Sequence, residues 1–115
     1  MIIKLKYNQG KRVMYSYSAF RDLLEKLIDK TYGKKEYIYF MNNDKDNMTD
    51  DTKFIKSMLE NKKVGAGDMH YLHNIIEKLD TSTMPDADKQ FWSVLSNIID
   101  YGARAKDPLL IIGGE

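Results

Sequence analysis

The chain contains no cysteine, which excludes disulfides, thiolate metal sites and a thiol nucleophile, and fits a reducing compartment. No apolar run has the length of a membrane span or the character of a signal-peptide core, because Lys4 and Lys6 interrupt the stretch Met1 to Tyr7. The default address is therefore the cytoplasm. Proline and alanine are scarce, isoleucine, asparagine and tyrosine are plentiful, and lysine outnumbers arginine 15 to 3. This is the bias of A/T-rich coding sequence and points to a low-GC bacterium or one of its phages or mobile elements. Neither an internal repeat nor a low-complexity stretch is visible.

Motifs of chemistry are missing as well. There is no GxSxG, and spacing assigns no serine to either histidine. Gly65-Ala-Gly67 is the first half of a phosphate-binding turn, but His70 stands where a third glycine would be, and Asp68 would repel an anion there. Asn42, Asp44 and Asp46 share the 1,3,5 spacing of a calcium loop, yet Asn47 replaces its glycine and Lys53 its bidentate glutamate. A polar turn and helix cap account for the same residues. His70, His73 and Glu77 lie on one helical face and could reach a zinc ion, but HxxHxxxE is not the HExxH pattern. A solvated face with an i,i+4 His-Glu pair explains them better. The expectation is no metal, no cofactor and no catalytic residue.

What is present suits one globular domain over 1–115, with 43% apolar and 30% charged residues. Folding a chain of this size buries roughly two-thirds of its surface. The net charge of +1 is unevenly placed: residues 1–63 carry 14 Lys/Arg against 9 Asp/Glu, and 64–115 carry 4 against 8. A basic half thus adjoins an acidic one, which can steer an acidic partner to one side.

The pattern predicts an α+β fold. Residues 2–7 and 12–17 read as a hairpin turning at Gly10, with Ile3, Leu5 and Tyr7 on one face. A helix from Ser18 to Tyr32 follows, with Phe20, Leu23, Leu24, Leu27 and Ile28 as its apolar stripe and Arg21 to Glu25 as a pair on its wet side. Gly33 is its stop. Glu36 to Met41 reads as a third strand. A short helix begins at Thr49 and buries Phe54, Ile55, Met58 and Leu59; another, from Asp68 to Leu79, buries Leu72, Ile75, Ile76 and Leu79. Thr83 to Asp86 resembles a capping box opening a helix to Tyr101. That helix is apolar over half its circumference, so it is a core helix or carries a binding patch. Leu109 to Ile112 reads as a last edge strand or an apolar tail.

The most suggestive constellation interleaves Tyr7, Tyr15, Tyr17, Tyr37 and Tyr39 with Lys4, Lys6, Lys11, Arg12, Lys34 and Lys35. If the first helix covers Ile3, Leu5, Ile38 and Phe40, then Lys4, Lys6, Tyr37 and Tyr39 share the open sheet face. Such a face suits a protein partner. The alternative is single-stranded nucleic acid, with lysines on phosphates and tyrosines stacked on bases.

The order hairpin, helix, strand and acidic turn over residues 1–60 resembles a β-grasp domain, and more loosely a PB1 interaction domain. In PB1 domains a first-strand lysine pairs with an acidic loop of another copy. Lys4 and the run Asp44, Asp46, Asp50 and Asp51 stand at similar places, although the acidic motif is shortened, lacks its usual glycine, and residues from 64 onward have no counterpart. The resemblance implies protein interaction. The resulting expectation is a non-enzymatic interaction protein, a small regulator or inhibitor of a larger protein, an anti-defence protein of a phage being one such case. Contact would run through the sheet face or the last helix, and a homodimer is compatible with either.

Overall fold

The computed structural model describes residues 2–6, 12–106 and 108–113, with side chains from residue 15 onward. Strands β1 (Ile2–Lys6) and β2 (Arg12–Met14) pair antiparallel, Ile2 opposite Met14. The turn expected at Gly10, and the side chains expected to divide β1 into two faces, lie outside the described residues. Helix α1 (Tyr17–Tyr32) begins one residue before the expected start because Ser16 caps it, its Oγ accepting the Ala19 N–H at 3.4 Å. Phe20, Leu23, Leu24, Leu27 and Ile28 are all buried along one stripe, and Arg21 pairs with Glu25 at 3.6 Å on the other side.

The third strand expected at 36–41 is a helix, α2 (Lys34–Met41). EYIYFM fits both periods: alternation groups Ile38 with Phe40, whereas a four-residue repeat groups Glu36 with Phe40. The helical arrangement buries Phe40, which is 1% exposed, and turns Ile38 out at 45%. It also delivers the buried Glu36 carboxylate to the Thr49 N–H, 2.7 Å away, at the cap of helix α3 (Asp50–Asn61). From α3, Lys56 closes the other end of α2, donating to the Phe40 carbonyl at 3.2 Å with its ammonium 4.5 Å over the Phe40 ring. Packing at both ends overrides the aromatic strand propensity of the segment.

Gly33 makes the abrupt α1–α2 junction. Its N–H closes α1 on the Asp29 carbonyl at 3.0 Å, and its own carbonyl accepts the Tyr37 N–H at 3.1 Å to open α2. Both bonds come from one residue at φ 100° and ψ 168°, a conformation essentially confined to glycine.

Helix α3 starts where expected, with Thr49 Oγ1 accepting the Thr52 N–H at 3.3 Å. Lys62, at φ 59°, then turns the chain into strand β3 (Lys63–Val64). Helix α4 (Ala66–Lys78) begins two residues earlier than its sequence signal, with Gly65 as N-cap. Helix α5 (Asp86–Arg104) has Pro85 as its N-cap, so the capping box expected from Thr83 does not form. The chain before it closes instead on a Met84 N–H to Thr81 carbonyl bond of 3.1 Å, with the Met84 side chain buried. The helix passes through Gly102, where the sequence suggests an end, to Arg104.

The last strand, β4 (Leu109–Gly113), lies inside the sheet, whose order among the described residues is β2-β1-β4-β3, every pair antiparallel. Leu110 and Ile112 point into the core, and a run this apolar is better paired on both sides than left as an edge. β4 therefore occupies the place beside β1. With a helix at 34–41 and the C-terminal strand beside β1, the β-grasp-like order and the PB1 correspondence both lose their third strand. The fold is α+β, with helices and sheet sharing one core.

Where α1, α3, α4, α5 and β4 meet, only about 10 Å³ is left empty, walled by Phe20, Ile55, Leu72, Leu95, Ile99 and Leu110 among others. That is at most the size of one water, so the core is closed. Among the described residues no helix is long and apolar enough to cross a membrane.

Candidate functional site

Of the residues singled out in the sequence, Lys34, Lys35, Tyr37 and Tyr39 stand on a helix and not on a sheet face. Lys4, Lys6 and Arg12 belong to β1 and β2, their side chains outside the described set, and Tyr7 and Lys11 lie outside it altogether. Tyr15 is a packing residue. Its ring stacks on Phe91 at 3.9 Å and 16°, and its hydroxyl donates to Asp88 of α5. Tyr17 ties α1 to the end of α3 by a 3.0 Å bond to the Leu59 carbonyl, with the Lys62 ammonium 5.0 Å over its ring.

Lys34, Lys35, Tyr37 and Tyr39, by contrast, all stand on α2. At about 100° per residue, Lys34, Lys35, Ile38, Met41 and Asn42 fall within roughly 120° of arc, opposite Glu36 and Phe40, and all five are exposed. Ile38 at 45% and Met41 at 47% are the most exposed large apolar residues among those described. An ordinary surface helix buries its apolar stripe; α2 buries a carboxylate and one phenylalanine, and presents isoleucine and methionine to solvent. Lysines bound that apolar pair, and the Lys34 ammonium is 5.0 Å from the Tyr37 ring. Sequence reasoning on a strand period misses Ile38 and Met41, although the spacing of Lys34, Ile38 and Met41 carries the signal.

Beside α2, Asp51 in the first turn of α3 binds three side chains from two other helices. Its Oδ2 accepts from the Tyr32 hydroxyl at 2.8 Å and the Lys78 ammonium at 3.1 Å, and its Oδ1 from the Tyr71 hydroxyl at 3.0 Å. Burial pushes the Asp51 carboxyl up, but the bonds from Tyr32, Lys78 and Tyr71 outweigh it and hold it below the usual range. Burial and the bond to Asp51 push the Tyr71 hydroxyl up to about 12, and the same two causes raise Tyr32. Asp51 is thus a staple between α1, α3 and α4 and is already occupied, unlike the acidic loop residue that the PB1 resemblance implies.

Two pH effects follow. A carboxyl depressed in the folded state contributes stability above its unfolded pKa of about 3.9 and loses it as pH falls through the folded value. The thermal midpoint should therefore drop on acidification below about pH 4, and Asp51→Asn should flatten that acid limb. Tyr15 shows the opposite dependence: its bond to Asp88, then burial, push its hydroxyl up to about 12 from 10.0. Its contribution is present below pH 10 and lost as pH rises towards 12. Differential scanning calorimetry across both ranges, with Tyr15→Phe flattening the alkaline limb, checks each sign.

Between α3 and α4 runs an open groove of about 310 Å³, with Phe54 stacked on Tyr71 at 4.8 Å in its wall and Asp50, Lys53, Lys63 and Asp68 around it. Two cations and two carboxylates select no sign of partner. His73 Nε2 stands 3.4 Å from Glu77 and 3.3 Å from Asp100 of α5, while His70 is exposed. Among the described residues no His, Asp and Glu groups converge as a metal site. Gly65 and Gly67 flank the start of α4, and the run 42–49 forms the turn and cap between α2 and α3.

Comparison with protein-family models, with curated proteins and with solved structures finds no match to this chain.

Proposed function

We propose that this chain is a non-enzymatic interaction protein, a small regulator or inhibitor that lays the outward face of α2 into an acidic-rimmed apolar groove on a larger protein. The observation that carries this reading is the pair Ile38 and Met41, exposed on one helical face and bounded by Lys34 and Lys35. Anchors three residues apart are the pattern of helix-in-groove recognition. The lysines assign the sign of the partner, because opposite charge speeds encounter and like charge excludes other surfaces. Glu36 and Lys56 fix the ends of α2 on α3, so the face is presented already folded and binding does not bear the cost of ordering it.

The absence of cysteine makes the test direct. A photo-cross-linker attached at Ile38→Cys, in the cells that make the protein, should capture one acidic protein that the same label at Asn74→Cys on α4 does not. With that protein purified, Lys34→Glu with Lys35→Glu should weaken binding at least about tenfold, as should Ile38→Ser with Met41→Ser. Equal affinity of these variants and the wild type would overturn the reading. So would tight binding of a single-stranded oligonucleotide that falls steeply with salt, the mark of phosphate contacts.

A further inference from the structure

The outward face of α5 carries no charge over most of its length. Ala87, Gln90, Ser93, Val94, Asn97 and Tyr101 are all exposed, fall within about 120° of arc and span roughly 21 Å. The chain as a whole is 30% charged. Val94 is 42% exposed and Tyr101 38%. A solvated helix face ordinarily carries charge, and loss of charge with an added aromatic marks the centre of an interface.

The flank of this stripe identifies what covers it. On the Ser93 side, Lys89 and Asp100 lie just outside the stripe while Asp86 and Arg104 close its two ends, so that the charges run minus, plus, minus, plus along the helix. If two α5 helices pack antiparallel about a two-fold axis near Val94 and Leu95, flank meets like flank. Asp86 then faces Arg104 of the partner subunit, and Lys89 faces Asp100 of the partner subunit. One register satisfies both pairs, twice over, and opposes the two helix dipoles. The Arg104 guanidinium is already held in position by Asp100 at 3.0 Å.

We infer that a second copy of this chain covers the stripe, forming a symmetric dimer through α5 and leaving α2 of each copy free. A single helix face falls short of the standard interface area of about 1,600 Å², so the dimer is a weak one, with a micromolar dissociation constant.

Sedimentation equilibrium of the full chain at low salt, from about 5 to about 500 μM, should show the mass rising from 13.4 kDa towards twice that value. Val94→Lys should lower the association constant at least about tenfold. Asp86→Lys and Arg104→Glu should each weaken it several-fold, and the double variant should restore it; unchanged far-UV circular dichroism shows that each variant folds. Ile38→Ser on α2 should dimerise as the wild type does. A wild type that stays at 13.4 kDa throughout, an unaffected Val94→Lys, an Ile38→Ser that loses the dimer, or a double variant as weak as the singles would each overturn the inference.

Discussion

Phe40→Ala should lose about 3–5 kcal/mol of folding stability, the largest effect of any single change on α2. Phe40 is 1% exposed and is the one apolar side chain by which α2 joins the core. Truncation removes its transfer energy and leaves a cavity between α1 and α3. It also takes away the ring under the Lys56 ammonium. Against a total stability of about 5–15 kcal/mol for a domain, such a loss leaves the variant marginal. Urea denaturation of the wild type, Phe40→Ala and Phe40→Leu measures it. Leucine, which refills most of the space, should cost clearly less than alanine, whereas Ile38→Ala should stay within about 0.5 kcal/mol of the wild type, since surface changes usually do. If 34–41 were a strand, positions 38 and 40 would share a face and respond alike.

Gly33→Ala should cost about 1–3 kcal/mol, and the cause is the backbone alone. A Cβ there meets no atom within 4 Å, so the loss comes from holding an L-residue at φ 100° and ψ 168°. Gly67 is the opposite case. It too has open space around a Cβ, but it lies in the first turn of α4 with no positive φ. Gly67→Ala should therefore stabilise by about 0.4–1 kcal/mol, chiefly by narrowing the unfolded ensemble. Thermal melts of the two variants should move in opposite directions. The steric space at the two glycines is alike, so a difference in sign isolates the backbone conformation.

The helices with a clean three-and-four repeat were legible in the sequence. The stripe from Phe20 to Ile28 is buried as its spacing indicates, and so are Ile55, Met58 and Leu59 of α3 and Leu72, Ile75 and Ile76 of α4. Local chemistry also marked Thr49 as a cap. What was not legible depended on distant chain. In a segment as short as EYIYFM both periods fit, and the choice rests on Glu36 meeting Thr49, on Lys56 meeting Phe40, and on Leu109–Ile112 taking the place beside β1. None of these contacts is visible in the local pattern. The same error hid the surface, because a strand period assigns Ile38 to the core.

Composition anticipated the basic character of the first half without locating it. Four of the eleven basic and aromatic candidates gather on α2, while Tyr15 and Tyr17 are absorbed by packing. On α5 the apolar arc suggested from sequence divides in two. Phe91, Trp92, Leu95, Ile98 and Ile99 are buried, and Val94 with Tyr101 faces outward. The helix is both a core element and the bearer of an uncharged surface.

α2 is a helix that presents Ile38 and Met41 to solvent and hides Phe40. Because the chain has no cysteine of its own, maleimide labelling of single-cysteine variants measures this directly. Lys34→Cys, Ile38→Cys and Met41→Cys should react at rates close to those of an unstructured thiol, with Phe40→Cys slower by at least about a hundredfold, the protection expected when a thiol reacts only through rare opening of the fold. Equal rates at 38 and 40 would show the period of a strand, and would contradict the proposed surface.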